Sequence, residues 1–163
     1  MTNRDEPRWL DDEEREAWIG LMTVFFRLPA ALDRQLRADA GLTQFDYQVM
    51  VILSETPERT LRMSKLAELT EGSLPRLSQV VSRLEKSGRV ERRPDPDDGR
   101  STLVTLTDEG FATLAAAAPL HVAEVRRLVF DHLTRAQVRQ LSRITDRILH
   151  SPDGNLGARR DDA

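Results

Sequence analysis

The chain has 163 residues, 39% hydrophobic and 31% charged, with a formal net charge of −3. That balance is too apolar for a disordered chain and fits one domain or two small lobes sharing a core. There is no cysteine, which excludes disulfides, thiolate metal sites, thiol redox sensing and a cysteine nucleophile. No apolar run is long enough to span a bilayer, and the first residues lack a secretory-type stretch, so a cytoplasmic location and no membrane partner are expected.

Residues 1–10 are polar and read as a flexible N-terminus. The acidic run Asp11-Asp12-Glu13-Glu14 then opens a helix, because carboxylates oppose the positive end of its dipole. Trp18, Leu21, Met22, Phe25, Leu28, Leu32 and Leu36 recur at spacings of three or four and predict its apolar face. Pro29 should bend this helix and Gly41 should end it. Thr43 is the expected cap of a second helix, from Gln44 to about Ser54, with Tyr47, Met50, Val51 and Leu53 on its apolar face. A loop over Thr56–Thr60 leads to Leu61-Arg62, a candidate short strand.

Met63–Leu69 predict a third helix, and Thr70-Glu71-Gly72-Ser73 a tight turn with a glycine where the chain reverses. The fourth helix runs from Leu74 to about Ser87, with Leu74, Leu77, Val80, Val81 and Leu84 as one buried stripe and Pro75 in its first turn. Gly88 ends it. Arg89–Arg93 and the β-branched, alternating run Ser101–Leu106 flank the tip Pro94-Asp95-Pro96-Asp97-Asp98-Gly99-Arg100 and predict a β-hairpin. Thr107 caps a fifth helix to about Asp131, bent at Pro119, with Phe111, Leu114, Ala115, Val122, Val125 and Leu128 or Val129 apolar. Thr134-Arg135-Ala136-Gln137 matches a capping box and starts a sixth helix with Val138, Leu141, Ile144 and Ile148 on one face. Residues 151–163 read as a flexible tail.

Charge is distributed unevenly. Residues 1–61 hold 7 basic and 12 acidic side chains, residues 62–104 hold 9 and 7, and residues 105–163 hold 8 of each. The middle is the one net-positive third, by only two charges, so it supports nucleic-acid binding weakly. The faces of the fourth helix say more. Burying its apolar stripe leaves Arg76, Ser78, Gln79, Ser82, Arg83 and Lys86 outward, with Glu85 as the one acid. Arg, Gln and Ser pair with base edges in a major groove, and the N-terminal part of a recognition helix goes deepest. Ser73, Pro75, Arg76, Ser78 and Gln79 are therefore the base-proximal candidates, and Arg83 and Lys86 the phosphate candidates. Arg93 lies at the hairpin base and Arg100 follows a tight Asp-Gly turn, where an arginine can enter a minor groove. Asp97 and Asp98 would repel phosphate, and Asp98 is assigned to stabilising the hairpin. The bland alternatives are a solvated helix face and a solvated turn.

Leu66-Ala67, the run Ser78 to Gly88 with Arg83-Leu84-Glu85-Lys86-Ser87-Gly88, Val90-Glu91-Arg92-Arg93, Asp95-Pro96-Asp97-Asp98-Gly99-Arg100 and Val104-Thr105-Leu106-Thr107-Asp108-Glu109-Gly110 resemble the MarR family of winged helix–turn–helix transcriptional regulators. The resemblance covers roughly residues 12–149. Its most specific part is Asp98-Gly99-Arg100 followed by Leu106-Thr107-Asp108-Glu109-Gly110. Gly99 departs from the pattern, since a second basic residue often stands there. The resemblance implies a mainly α (α+β) fold: a winged helix–turn–helix DNA-binding lobe at 43–107 with a small β-hairpin wing, and a helical dimerisation lobe at 11–42 and 108–150. It implies a homodimer on double-stranded DNA with an inverted repeat, acting as a repressor that a small organic effector of aromatic type releases. Trp18, Phe25, Phe26, Arg27 and Tyr47 are candidates for that ligand pocket, with core or interface packing as the alternative.

Other chemistry is thin. His121 and His132 stand eleven residues apart, with Glu124 and Asp131 near, but interface or exposed histidines outweigh a metal site. No catalytic triad spacing, phosphate-binding glycine loop or zinc-protease motif occurs, so no enzyme, metal or cofactor is expected. A helical protein-interaction module with a degenerate winged helix is the alternative that stays open.

Overall fold

The computed structural model describes residues 7–151. The predicted loose termini therefore lie mostly outside the described residues; 7–10 and Ser151 carry no helix or strand. Helix α1 (Asp12–Ala40) begins with a full capping box. Asp11 Oδ1 accepts from the Glu14 amide at 2.8 Å and Glu14 Oε2 accepts from the Asp11 amide at 3.1 Å. The acidic run thus satisfies orphan amides as well as opposing the dipole. α1 continues through Pro29 and closes at Gly41. Helix α2 (Gln44–Ser54) starts at Thr43, whose hydroxyl accepts from the Asp46 amide at 3.0 Å.

A short 3-10 turn leads into strand β1 (Thr60–Arg62), followed by α3 (Met63–Leu69) and α4 (Leu74–Lys86). The hairpin strands are β2 (Val90–Pro94) and β3 (Thr102–Leu106). The sheet is antiparallel in the order β1-β3-β2, with Leu61 opposite Val104 and Arg92 opposite Val104 on the other side. The wing is thus a three-stranded unit rather than a bare hairpin. β1 is too short for any periodicity to announce that pairing.

Helix α5 (Asp108–Leu128) is followed by a 3-10 turn at Phe130–His132, then α6 (Arg135–Leu149). α5 stops three residues short of the expected Asp131 because Val129 leaves helical geometry, at φ −124° and ψ −64°. Gly110 shows why a glycine follows Leu106-Thr107 at that spacing. The first turn of α5 crosses the chain at Arg89, and a Cβ on Gly110 would lie 2.0 Å from the Arg89 carbonyl oxygen. Thr107 fastens the crossing through its amide to Arg89 O (3.1 Å) and its hydroxyl to Gly88 O (2.7 Å).

One core runs through the fold. Leu36 and Leu42 join Val49, Met50 and Leu53 of α2, Leu66 of α3, the Leu77, Val80, Val81, Leu84 stripe of α4, Val104 and Leu106 of β3, and Leu114 and Ala117 of α5. Each fully buried leucine or valine contributes about 1.5–3 kcal/mol relative to exposure. One apolar expectation needs correction. Leu74 is 53% exposed, because the first turn of α4 projects past the core. On α5 the inward face is Leu114, Ala117 and His121, while Phe111, Ala115 and Val122 face out. On α1 only Leu36 is buried, and Trp18, Leu21 and Phe25 are exposed. α6 buries no residue at all.

Candidate nucleic-acid interface

The turn before α4 sets where that helix points. Glu71, not Gly72, takes the left-handed backbone, at φ 51°. Gly72 is instead approached by Phe45, since a Cβ there would lie 2.8 Å from Phe45 Cζ. The expected reason for this glycine was the reversal; the observed one is close packing of the turn on α2. Ser73 then caps α4 through the Arg76 amide at 3.4 Å. No acid occupies the first turn of α4, so its partial positive end is uncancelled there.

Burial of Leu77, Val80, Val81 and Leu84 leaves Ser73, Pro75, Arg76, Gln79, Arg83 and Lys86 exposed and Ser78 half-buried. These groups do not stand equally free. The Arg76 guanidinium lies over the Phe45 ring, 4.4 Å from its centroid, a cation–π contact that aims the side chain. Arg83 Nη2 donates to Asp46 Oδ1 at 2.6 Å, and the Asp46 side chain is only 3% exposed. Asp46 Oδ2 also accepts from the Thr43 amide (2.8 Å) and hydroxyl (2.7 Å). Arg83, expected to face phosphate, is therefore also an internal partner joining α4 to the start of α2.

Glu85, the acid that looked out of place on this helix, is bound by the wing. Arg92 donates to it from Nε at 2.9 Å and from its amide at 3.2 Å. The Arg92 side chain holds the Glu85 carboxyl below its usual range. This pair braces α4 against β2.

The acids at the wing tip are likewise engaged with the chain. Asp98 accepts from the Ser101 hydroxyl (2.7 Å) and the Arg100 amide (3.1 Å), the geometry of an Asx-type turn. Those bonds, the hydroxyl first, keep its carboxyl below the usual range. Asp98 thus reaches the Arg100 backbone rather than its guanidinium. Asp95 is buried, accepts from the Asp97 amide at 3.0 Å and pairs with Arg62 Nε at 2.6 Å. Lys86, Arg93 and Arg100 have exposed side chains and no carboxylate partner among the described residues.

Arg62, Phe45, Asp46, Glu85 and Asp95 were not singled out as contributors to this face. Asp46 and Arg83 are 37 residues apart and Arg62 and Asp95 are 33 apart, and no local spacing signals either pair. Asp95-Pro96-Asp97 did carry a readable turn signal.

The residues expected to line a ligand pocket are not together in one chain. Trp18, Phe25 and Arg27 are exposed along α1, and Phe25 meets Phe26 edge-on at 5.3 Å. Tyr47 is half-buried with its ring 4.4 Å from that of His121 on α5. Burial raises the Tyr47 phenol and lowers the His121 imidazole from their ordinary values. His121 Nδ1 donates to Gln35 Oε1 at 3.0 Å, so this histidine is a packed link between α1, α2 and α5. Among the described residues, no three His, Asp or Glu side chains gather as metal ligands, and no helix is long and apolar enough to cross a membrane.

Known proteins share this fold. The MarR family model matches residues 42–102. A MarR family transcriptional regulator from Streptomyces coelicolor, crystallised in complex with DNA, superposes with a TM-score of 0.83 at 42% identity, covering 94% of this chain and 98% of that one. AbsC, a MarR family transcriptional regulator from the same organism, gives 0.79 at 37% identity, over 88% of this chain and 94% of its own. The HTH-type transcriptional repressor IacR of Pseudomonas putida is 29% identical over 105 residues, 64% of this chain and 61% of IacR's length.

Proposed function

The chain belongs to the MarR family of transcriptional regulators, and on that premise we propose that it is a cytoplasmic, dimeric repressor of an inverted-repeat operator, released by a small organic ligand. The observation that carries the DNA-reading part is the pairing of α4 with the wing. The exposed Arg76, Gln79 and Lys86 of α4 lie beside a wing that presents Arg93 and Arg100, and the Glu85–Arg92 pair locks the two elements together. Cations on both elements thereby act as one rigid surface. Arg76, Ser78 and Gln79, with Ser73 and Pro75 at the helix start, are assigned to base edges; Arg83, Lys86, Arg93 and Arg100 are assigned to phosphate or the minor groove.

Dimerisation is supported by exposed apolar groups on three helices: Ile19, Leu21 and Phe25 on α1, Leu120 and Val122 on α5, and Leu141, Ile144 and Ile148 on α6. So much apolar surface on helices marks an interface. A two-fold dimer would place its reading helices about one turn of DNA, ~34 Å, apart. The ligand would seat where α1, α2 and α5 meet, near Tyr47, with Trp18, Phe25 and Arg27 brought in by dimer formation. It would act by favouring dimers whose helix spacing no longer matches the half-sites. The interaction-module alternative accounts for the exposed helices but leaves the braced wing without a role.

Selection from a randomised duplex pool tests the proposal. The expected product is an inverted repeat bound with strong salt dependence. Gln79→Ala should then lose ~1–3 kcal/mol of discrimination among operator variants. Absence of salt-sensitive binding to any duplex at low ionic strength would favour the interaction module.

A further inference from the structure

A groove of about 200 Å³ opens between the start of α3 and the wing, lined by Arg62, Met63, Ser64, Leu74, Arg100, Ser101 and Thr102. Two arginines and three hydroxyl-bearing residues are among those that line it, and no Asp or Glu does. Asp95 stands behind Arg62 instead. Its side chain is 4% exposed, and it takes Arg62 Nε at 2.6 Å. The wing holds Asp95 in turn, through the Asp97 amide at 3.0 Å and through the Asp95 amide's bond to Ser101 O at 3.0 Å. Arg62 is thus fixed by its inner nitrogen. Its terminal amines, Nη1 and Nη2, meet no acceptor among the described residues, and the side chain is 49% exposed. A guanidinium anchored in this way offers its outer edge as a two-pronged donor.

We infer that this groove seats one phosphodiester of the DNA backbone, with Arg62 as a phosphate-binding residue. The inference rests on the reading of α4 and the wing as a DNA surface. If α4 lies in a major groove and the wing reaches the adjacent minor groove, the strand dividing the two grooves must pass between them. The space between the first turn of α4 and the wing is this groove. Leu74, exposed against expectation, then forms an apolar wall for a deoxyribose, and Ser64 and Thr102 supply neutral donors, the Ser101 hydroxyl being already given to Asp98. Arg62 is in effect delivered to the phosphate by a buried carboxylate in the wing, which couples wing position to backbone grip.

The experiment uses the full chain and the duplex obtained by selection. A neutral methylphosphonate is placed at one phosphate at a time along each strand, and binding is measured against salt. For the wild type, the phosphate between the major groove under α4 and the minor groove under the wing should be among the positions that cost roughly 10- to 100-fold, the range for a hydrogen bond to a charged group. Arg62→Gln should be indifferent to methylphosphonate at that position. Its plot of log affinity against log salt should be flatter by about 0.9 per subunit. Asp95→Asn keeps the arginine's charge, so it should keep the slope while losing affinity; equal slopes and equal losses in the two variants would reduce Arg62 to a brace for the wing. If Arg62→Gln does not fold, Arg62→Lys carries the test. It should retain the slope and lose affinity only through the phosphate at the groove, and wild-type affinity would overturn the seat. An unchanged slope and an unchanged methylphosphonate penalty in Arg62→Gln, with operator binding intact, would sink the seat but leave the DNA-reading proposal standing. Failure of the wild type to bind any duplex would sink both.

Discussion

Helices α4 and α6 carry apolar stripes of similar regularity: Leu77, Val80, Val81 and Leu84 on one, Val138, Leu141, Ile144 and Ile148 on the other. Each has a side-chain N-cap, Ser73 or Thr134. Yet every residue of the α4 stripe is buried, while Leu141, Ile144 and Ile148 are exposed. α4 is boxed by α2, α3 and β2, whereas α6 has no closely packed partner among the described elements. The contrast teaches that amphipathicity specifies that a helix has a hidden face, not what hides it. In α4 the chain itself closes over the stripe. In α6 the covering surface must come from elsewhere, and a second copy with the same exposed helices is the proposal that meets it.

Substitutions that treat the two stripes differently test the contrast. The largest effect is expected from Ile144→Asp combined with Ile148→Asp. Sedimentation should give a monomer mass, and operator affinity should fall by ~10²–10⁴ because two half-sites are no longer bound together. A double variant that stays dimeric would remove α6 from the interface and break the contrast. Leu84→Ala, on the buried stripe, should cost ~2–5 kcal/mol in chemical denaturation, from lost burial plus the cavity left behind. Ile144→Ala should change assembly far more than it changes the unfolding of an isolated subunit.

Arg83→Ala comes next. It strips the partner from a carboxylate that is 3% exposed, so stability should fall by about 1–3 kcal/mol even without DNA. A loss of DNA binding with an unchanged melting curve would instead make Arg83 purely a phosphate residue. The smallest effect is a pH dependence at the seam of α1, α2 and α5. Burial lowers the His121 imidazole from its ordinary 6.5, so the unfolded chain binds that proton more tightly than the folded one. Its contribution is fully present above pH 6.5 and declines as pH falls from there toward the folded value. Stability should therefore rise with pH across that window, and His121→Gln should flatten the profile. An unaltered profile would place the titration elsewhere.

Much of this was legible along the chain because it is encoded locally. Thr43, Thr107 and Thr134 sit where they must to satisfy orphan amides, and the helices begin there. The α4 stripe and the alternation in β3 are likewise patterns of period 3.6 and 2, readable without a partner. The outward positions of Arg76, Gln79 and Lys86 follow from the first of these. What was missed depends on contacts distant in sequence. The inward face of α5 is Leu114, Ala117 and His121 because α1 and α2 lie on that side, and an apolar count along α5 cannot know it. Gly72 is small because Phe45 arrives from another helix, and Arg62 matters because Asp95 stands behind it from the far side of the wing.

The sequence by itself determined which segments are helix or strand, where they start, which face of α4 is polar and which family motif surrounds the wing. Those properties follow from propensity, capping and periodicity, all short-range in the chain. Only the tertiary structure decided how the cations of that face and of the adjoining wing are held: Arg76 on Phe45, Arg83 on Asp46, Arg92 on Glu85 and Arg62 on Asp95. The physical reason is that a charge is directed by whichever group folding brings within a few ångströms, and that neighbour lies in another element in every one of these pairs.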